Sequence, residues 1–253
     1  QFIARYVGAN GPVQMVSNAC TSGADAIGIA ASWLNADLCD AVICGGSEAL
    51  VPAIYYGFKS LQLCSPVPCR PFDKARAGLT LGEGAGLVVL EKNSTVRRPL
   101  THLLGYGCAS EAYHPTAPDP EARGLERAVH MALGNSGSLD KINFINAHGT
   151  ATPTNDLAEG RWIAARVKNA RVCATKGYTG HTLGAAGGIE AVLTALSLNH
   201  QQLPASRGFG EVDPAIGITP VTKIETGSFD QALSLSLGFG GTNTALWLGR
   251  HHA

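Results

Sequence analysis

The sequence has 253 residues, with 19 Lys plus Arg against 19 Asp plus Glu, 45% hydrophobic and 15% charged residues. That length and apolar share can bury a large core, in one large domain or two halves. The balanced charge argues against nucleic acid or an anionic membrane as the main partner, since both select a basic surface. No apolar run reaches the roughly 18–20 residues of a membrane span.

In chain order, Pro12–Ala19 reads as a short strand running straight into Cys20. Gly23–Asn35, apolar and rich in small residues, reads as a buried helix, and Ala41–Cys44 as a buried strand closed by Gly45-Gly46. Cys64–Leu81 is broken by Pro66, Pro68, Pro71 and Gly78, and Gly86–Leu90 is a further buried strand. A polar break at Asn93–Pro99 divides the chain into an N-terminal part, 1–97, and a C-terminal part, 98–253. The alternation then resumes: strand Thr101–Gly107, helix Glu121–Leu133, strand Ile142–Ala147, helix Asn155–Val167, strand Arg171–Ala174 and helix Leu183–Leu198. Two closing strands, Ala232–Leu237 and Thr244–Leu248, flank the turn Gly238-Phe239-Gly240-Gly241. Buried strands alternating with helices predict an α/β layered fold with helices on both sheet faces. Thirty-one glycines predict layers whose backbones approach closely.

The seven cysteines are odd in number and lack CxxC spacing, which favours reduced, partly buried thiols over a disulfide framework or a zinc site. The chain opens at Gln1 without a signal-peptide pattern, and the expectation is that a longer N-terminal segment precedes it.

Three segments carry chemistry. In Ser17-Asn18-Ala19-Cys20-Thr21-Ser22-Gly23, a cysteine stands where a strand turns into a helix. The positive end of the helix dipole is expected to lower its thiol pKa and to favour the thiolate. In Asn146-Ala147-His148-Gly149-Thr150-Ala151-Thr152-Pro153, a histidine ends a strand and points into the crevice where α/β sheets bind ligands. Lys176-Gly177-Tyr178-Thr179-Gly180-His181 follows another strand and opens a helix. Singly, each has a plain structural alternative: a packed core cysteine, a structural histidine, a surface lysine beside a capping histidine. Their recurrence at strand ends, each before a glycine-containing turn, points to one site. Gly82-Glu83-Gly84-Ala85-Gly86 precedes a strand rather than a helix and so is no phosphate loop.

The segments NACTSG, NAHGTATPTND, KGYTGHTLGAAGG and SLGFGGTN, with CRPFDKARAGLTLGEGAGLVVLEK between them, resemble the signature segments of β-ketoacyl-acyl-carrier-protein synthases nearly end to end. The resemblance implies a thiolase-like, layered αβαβα fold of two related halves, with the N-terminal half incomplete because Cys20 lies so near the start. It implies a cytoplasmic condensing enzyme. Cys20 would accept an acyl chain from acyl-carrier protein, and malonyl-carrier protein would lose CO2 and attack that thioester. His148 and His181 would donate hydrogen bonds to the malonyl thioester oxygen, and the backbone N–H groups of Cys20 and Phe239 would form the oxyanion hole. Lys176 would support the site's electrostatics, through Glu159. Thr150 and Thr152 would hold the phosphopantetheine arm, which arrives on the carrier protein, so that no cofactor or metal of the enzyme's own is implied. Phe239 would gate entry, with Gly238, Gly240 and Gly241 freeing its turn. A homodimer or a heterodimer with a related subunit is implied. The alternative is a non-catalytic chain-length-factor-like subunit, although such subunits usually lack the cysteine.

Overall fold

A computed structural model describes residues 2–93 and 98–252. The helices are α1 (Phe2–Val7), α2 (Ser22–Asn35), α3 (Pro52–Ser60), α4 (Arg123–Leu133), α5 (Pro153–Arg166), α6 (Lys176–Thr179) and α7 (Ala186–His200). The strands are β1 (Ala41–Glu48), β2 (Gly84–Glu91), β3 (Thr101–Ser110), β4 (Phe144–Asn146), β5 (Arg171–Cys173), β6 (Gln202–Leu203), β7 (Glu225–Thr226), β8 (Gln231–Gly238) and β9 (Thr242–Arg250).

The central sheet runs in the order β3-β9-β8-β4-β5, with β4 parallel to both β5 and β8, and β9 antiparallel to β8 and β3. Its strands alternate between two cores, because successive side chains of a strand point to opposite faces. Leu233, Leu235, Ala245 and Trp247 face a core completed by Leu125 and Val129 of α4 and by Trp162 and Ile163 of α5. Ala232, Leu246, Leu248 and Phe144 face the opposite core, with Ile27 of α2 and Ala191 and Ala195 of α7. A second, two-stranded sheet, β1 with β2, packs against α2 and α7 from their far side. The layers therefore run β1–β2, then α2 with α7, then the central sheet, then α4 with α5.

Glycine makes the α2–α7 layer possible. A Cβ on Gly23 would stand 2.7 Å from the Gly188 backbone nitrogen, and one on Gly86 would stand 2.3 Å from that of Ile189. Both are closer than real Cβ contacts come, so α2, α7 and β2 meet backbone to backbone.

Most expected elements appear with shifted ends. One does not: Pro12–Ala19 forms no ladder, its only pairing being an isolated bridge between Asn18 and Cys20. An extended apolar stretch becomes a strand only when a neighbour supplies hydrogen bonds, and none stands beside it among the described residues. The expected helix Leu183–Leu198 opens instead as a 3-10 turn, Leu183–Ala185, with Leu183 at φ 50, and α7 runs on to His200. Helices α1, α3 and α6 were not anticipated. The break at Asn93–Pro99 and the division at 97/98 rest on residues 94–97, which lie outside the described ones. Among the described residues no helix is long and apolar enough to cross a membrane.

Candidate active site

Cys20 sits two residues ahead of α2, at a tight turn in which Ala19 adopts φ 49. A non-glycine residue in that left-handed region costs about 1–2 kcal/mol, and neighbouring hydrogen bonds hold it there. Ser22 Oγ donates to the Ala19 carbonyl at 2.6 Å and accepts the Asn18 N–H at 2.8 Å. The thiol is buried.

The loops after β4 and β5 bring His148 and His181 to this sulfur. His181 Nε2 lies 3.1 Å from Cys20 Sγ. The His148 and His181 rings meet edge to face, 5.1 Å between centroids. Both imidazoles are held well below their ordinary pKa of 6.5, first by burial and then by the nearby Lys176 charge, so both are neutral at pH 7.

Lys176 fixes one tautomer. Its buried ammonium donates to the His148 carbonyl at 2.6 Å, to His148 Nδ1 at 3.3 Å and to Glu190 Oε1. These use all three of its N–H bonds. Because His148 Nδ1 accepts, the ring proton sits on Nε2. His181 Nδ1 is buried without a partner. A lone pair tolerates that better than an N–H does, which places its proton on Nε2, against the sulfur. The pair is thus arranged as two Nε2–H donors.

Two expectations are corrected here. Lys176 makes no hydrogen bond to Glu159; its bonded carboxylate partner is Glu190 on α7. Glu159 instead accepts the backbone N–H groups of His148 at 2.7 Å and Gly149 at 2.9 Å, and so shapes the loop that carries the histidine. Burial pushes its carboxyl up to about 7, opposed by those same N–H groups. Nor is the Cys20 thiol lowered: burial pushes it up to about 11, against the pull of Lys176 and of the Phe239 N–H directed at the sulfur. Removing a small anion from water outweighs the dipole of a helix beginning two residues later.

Thr150 and Thr152, both buried, bond to each other at 2.9 Å between hydroxyl oxygens and line a narrow cleft with Cys20, both histidines, Gly238 and Phe239. Phe239 is half-buried and stacks on Phe58 at 5.5 Å and 22°. Gly238 leaves no room for a side chain, since a Cβ there would lie 2.5 Å from Thr242 Oγ1. Gly240, at φ 84, and Gly241, at φ 76, stand outside the cleft lining and shape the turn. Among the described residues no group of three or more His, Cys, Asp or Glu is placed to hold a metal ion.

Glu190 escaped the sequence reading, although a signal existed: it is the only charged residue in the run Leu183–Leu198. Phe58, Glu111 and His114, which also line the cleft, carried none, being distant in sequence from every motif.

A layered α/β fold with a cysteine at the turn into a helix, facing two histidines on loops that follow sheet strands, defines a thiolase-like architecture. The family model of the β-ketoacyl synthase N-terminal domain matches residues 2–95, and that of the β-ketoacyl synthase C-terminal domain matches residues 100–210. The chain belongs to the β-ketoacyl synthase family. It is 39% identical over 257 residues to 3-oxoacyl-acyl-carrier-protein synthase 2 of Synechocystis sp., covering 95% of this chain and 62% of the relative. To the protein of the same name from Vibrio cholerae it is 36% identical, over 94% of this chain and 62% of the relative. Among solved structures, the ishigamide ketosynthase/chain length factor superposes with a TM-score of 0.94 at 32% identity, over 99% of this chain and 64% of that one. A ketosynthase in complex with its chain length factor from Xenorhabdus doucetiae gives a TM-score of 0.90 at 38% identity, over 99% and 63%. The chain therefore spans less than two thirds of the length of these relatives.

Proposed function

We propose that the chain is the Cys-His-His portion of a condensing β-ketoacyl-acyl-carrier-protein synthase. The observation that carries the proposal is the 3.1 Å approach of His181 Nε2 to Cys20 Sγ with neutral His148 beside it.

In the first half-reaction Cys20 sulfur attacks the acyl thioester of a carrier protein. A new C–S bond forms, the old one breaks, and the thiol proton ends on the departing phosphopantetheine sulfur. The N–H groups of Cys20 and Phe239 face the developing oxyanion. In the second, a malonyl thioester breaks its C–CO2 bond and negative charge gathers on the thioester oxygen. The Nε2–H groups of His148 and His181 meet that charge in a buried site, where one such donor contributes about 2.7–4 kcal/mol. The carbanion then attacks the acyl group on Cys20, and the sulfur leaves as the β-ketoacyl product forms. Thr150 and Thr152 would hold the phosphopantetheine arm, and movement of Phe239 off Phe58 would open the cleft. The prosthetic arm belongs to the carrier protein.

The partners proposed are acyl- and malonyl-carrier protein and a second ketosynthase-type subunit. Relatives named for the acyl carrier protein and a neighbour solved with its chain length factor support them. The free thiols support a cytoplasmic setting. A non-catalytic chain-length-factor-like role is disfavoured, because Cys20, His148, Lys176 and His181 are all present and assembled.

The test is the intact mass of the chain after incubation with an acyl-carrier-protein thioester. An acyl adduct on the parent and none on Cys20→Ala is expected. No adduct on a folded parent would refute autonomous acyl transfer.

A further inference from the structure

Asp25 is buried, carries a full set of hydrogen bonds and has no place in the chemistry above. Its two carboxylate oxygens divide their partners by region. Oδ2 accepts from Asn18 Nδ2 at 2.6 Å and from Thr21 Oγ1 at 2.8 Å, the residues flanking the nucleophile's turn. Oδ1 accepts from Tyr106 OH of β3 at 3.1 Å and from Thr244 Oγ1 of β9 at 2.5 Å, both in the central sheet. Thr21 Oγ1 also lies 2.8 Å from the Asn18 carbonyl, so its single O–H is shared between that oxygen and Asp25 Oδ2, and it stands 3.4 Å from Thr242 Oγ1, at the end of the Phe239 turn.

We propose that Asp25 is a positioning residue that registers the Cys20 turn on the sheet bearing the histidines, and so sets the Cys20–His181 approach. The turn itself is strained at Ala19, and among the described residues the segment before it, Pro12–Asn18, pairs with no neighbouring strand. A buried carboxylate taking four donors fixes both distance and direction, and leaving those donors unpaired is costly. Asn at this position keeps the shape but offers one acceptor oxygen instead of two, so one side of the clamp opens. A displacement of about 1 Å between reacting groups costs about a hundredfold in rate.

The inference rests on the proposed acyl transfer for one readout and is independent of it for the other. In single-turnover acylation of the full chain by an acyl-carrier protein, Asp25→Asn and Thr244→Val are expected to slow thioester formation about ten- to a hundredfold, with the half-saturating carrier-protein concentration unchanged. Thr244→Ser, which keeps the hydroxyl, is expected to keep the parent rate. The pH profile of Cys20 alkylation by iodoacetamide needs no carrier protein. It is expected to move in Asp25→Asn and Thr244→Val, and His181→Ala, which moves it in the parent, should move it no further in either variant. Should Asp25→Asn fail to fold, Thr244→Val carries both measurements.

Three results overturn the proposal: an unmoved alkylation profile in folded variants whose only change is a lower thermal midpoint, an acylation rate equal to the parent's, or Thr244→Ser falling as far as Thr244→Val. A parent chain that takes no acyl group would refute the ketosynthase proposal instead, and the alkylation profile would then decide the role of Asp25 alone.

Discussion

The two regions on either side of residues 94–97 are built on different terms. Residues 98–252 supply the whole central sheet and most of both cores. Residues 2–93 supply one two-stranded sheet and the helices α1, α2 and α3, and five of their buried apolar side chains, Ala24, Ile27, Ala30, Cys44 and Phe72, join the same two cores. Of 24 large exposed hydrophobic side chains among the described residues, 16 lie in this first region, among them Ile43, Leu87 and Val89 on the outer face of β1–β2. Yet this region holds Cys20, the proposed nucleophile. The difference shows that Cys20 depends for its surroundings on groups from the other region: His148, His181, Lys176, Glu190 and the clamp on Asp25.

That dependence can be broken most severely at the buried ion pair. Glu190→Ala leaves the Lys176 ammonium buried without its carboxylate, and unfolding in urea is expected to show a loss of about 3–5 kcal/mol. Leu235→Ala, at a side chain with 0% exposure in the central sheet, is expected to cost about 2–5 kcal/mol by the same measurement. His148→Ala removes one of the two proposed donors to the malonyl thioester oxygen. It is expected to lower malonyl decarboxylation about 10²–10³-fold while Cys20 still takes an acyl group, a split that intact mass and CO2 release together resolve.

The pH dependence of the thiol sharpens the same contrast. With the Cys20 pKa pushed up to about 11, the thiolate fraction is small at neutral pH and grows as protons are withdrawn. Alkylation should therefore climb about tenfold per pH unit from pH 8 to about pH 10 without levelling. A plateau near the ordinary thiol value would show that burial does not govern the nucleophile. The smallest effect is expected on the outer face of β1–β2. Val89→Ala, at 62% exposure, should change stability by no more than about 0.5 kcal/mol.

Much of this was legible in the chain. Local patterning alone placed α2, β1, β2 and the α/β alternation of the second region, because period-2 and period-3.6 apolar repeats reflect burial on one or two faces whatever the partner is. The strand-end positions of His148 and His181 and the place of Cys20 just ahead of a helix were also visible, as was the close approach of layers that the glycines permit. Strand pairing was not, and Pro12–Ala19 shows why. Its apolar run satisfies the local rule, but a strand exists only through hydrogen bonds to another segment.

The sequence by itself determined most element types, the residues Cys20, His148, Lys176 and His181 as one candidate site, and the family. Only the tertiary structure decided who partners whom and at what cost. Lys176 met Glu190 rather than Glu159 because α7 brings that carboxylate under the loop, a contact 14 residues away along the chain. The Cys20 thiol rose rather than fell because its pKa follows the water removed around it, and burial is a property of the assembled layers. Asp25 reads in the sequence as one polar residue interrupting an apolar helix. In the fold it faces four donors, from β3, β9 and the turn before α2, because packing α2 against the central sheet leaves it no water to bind.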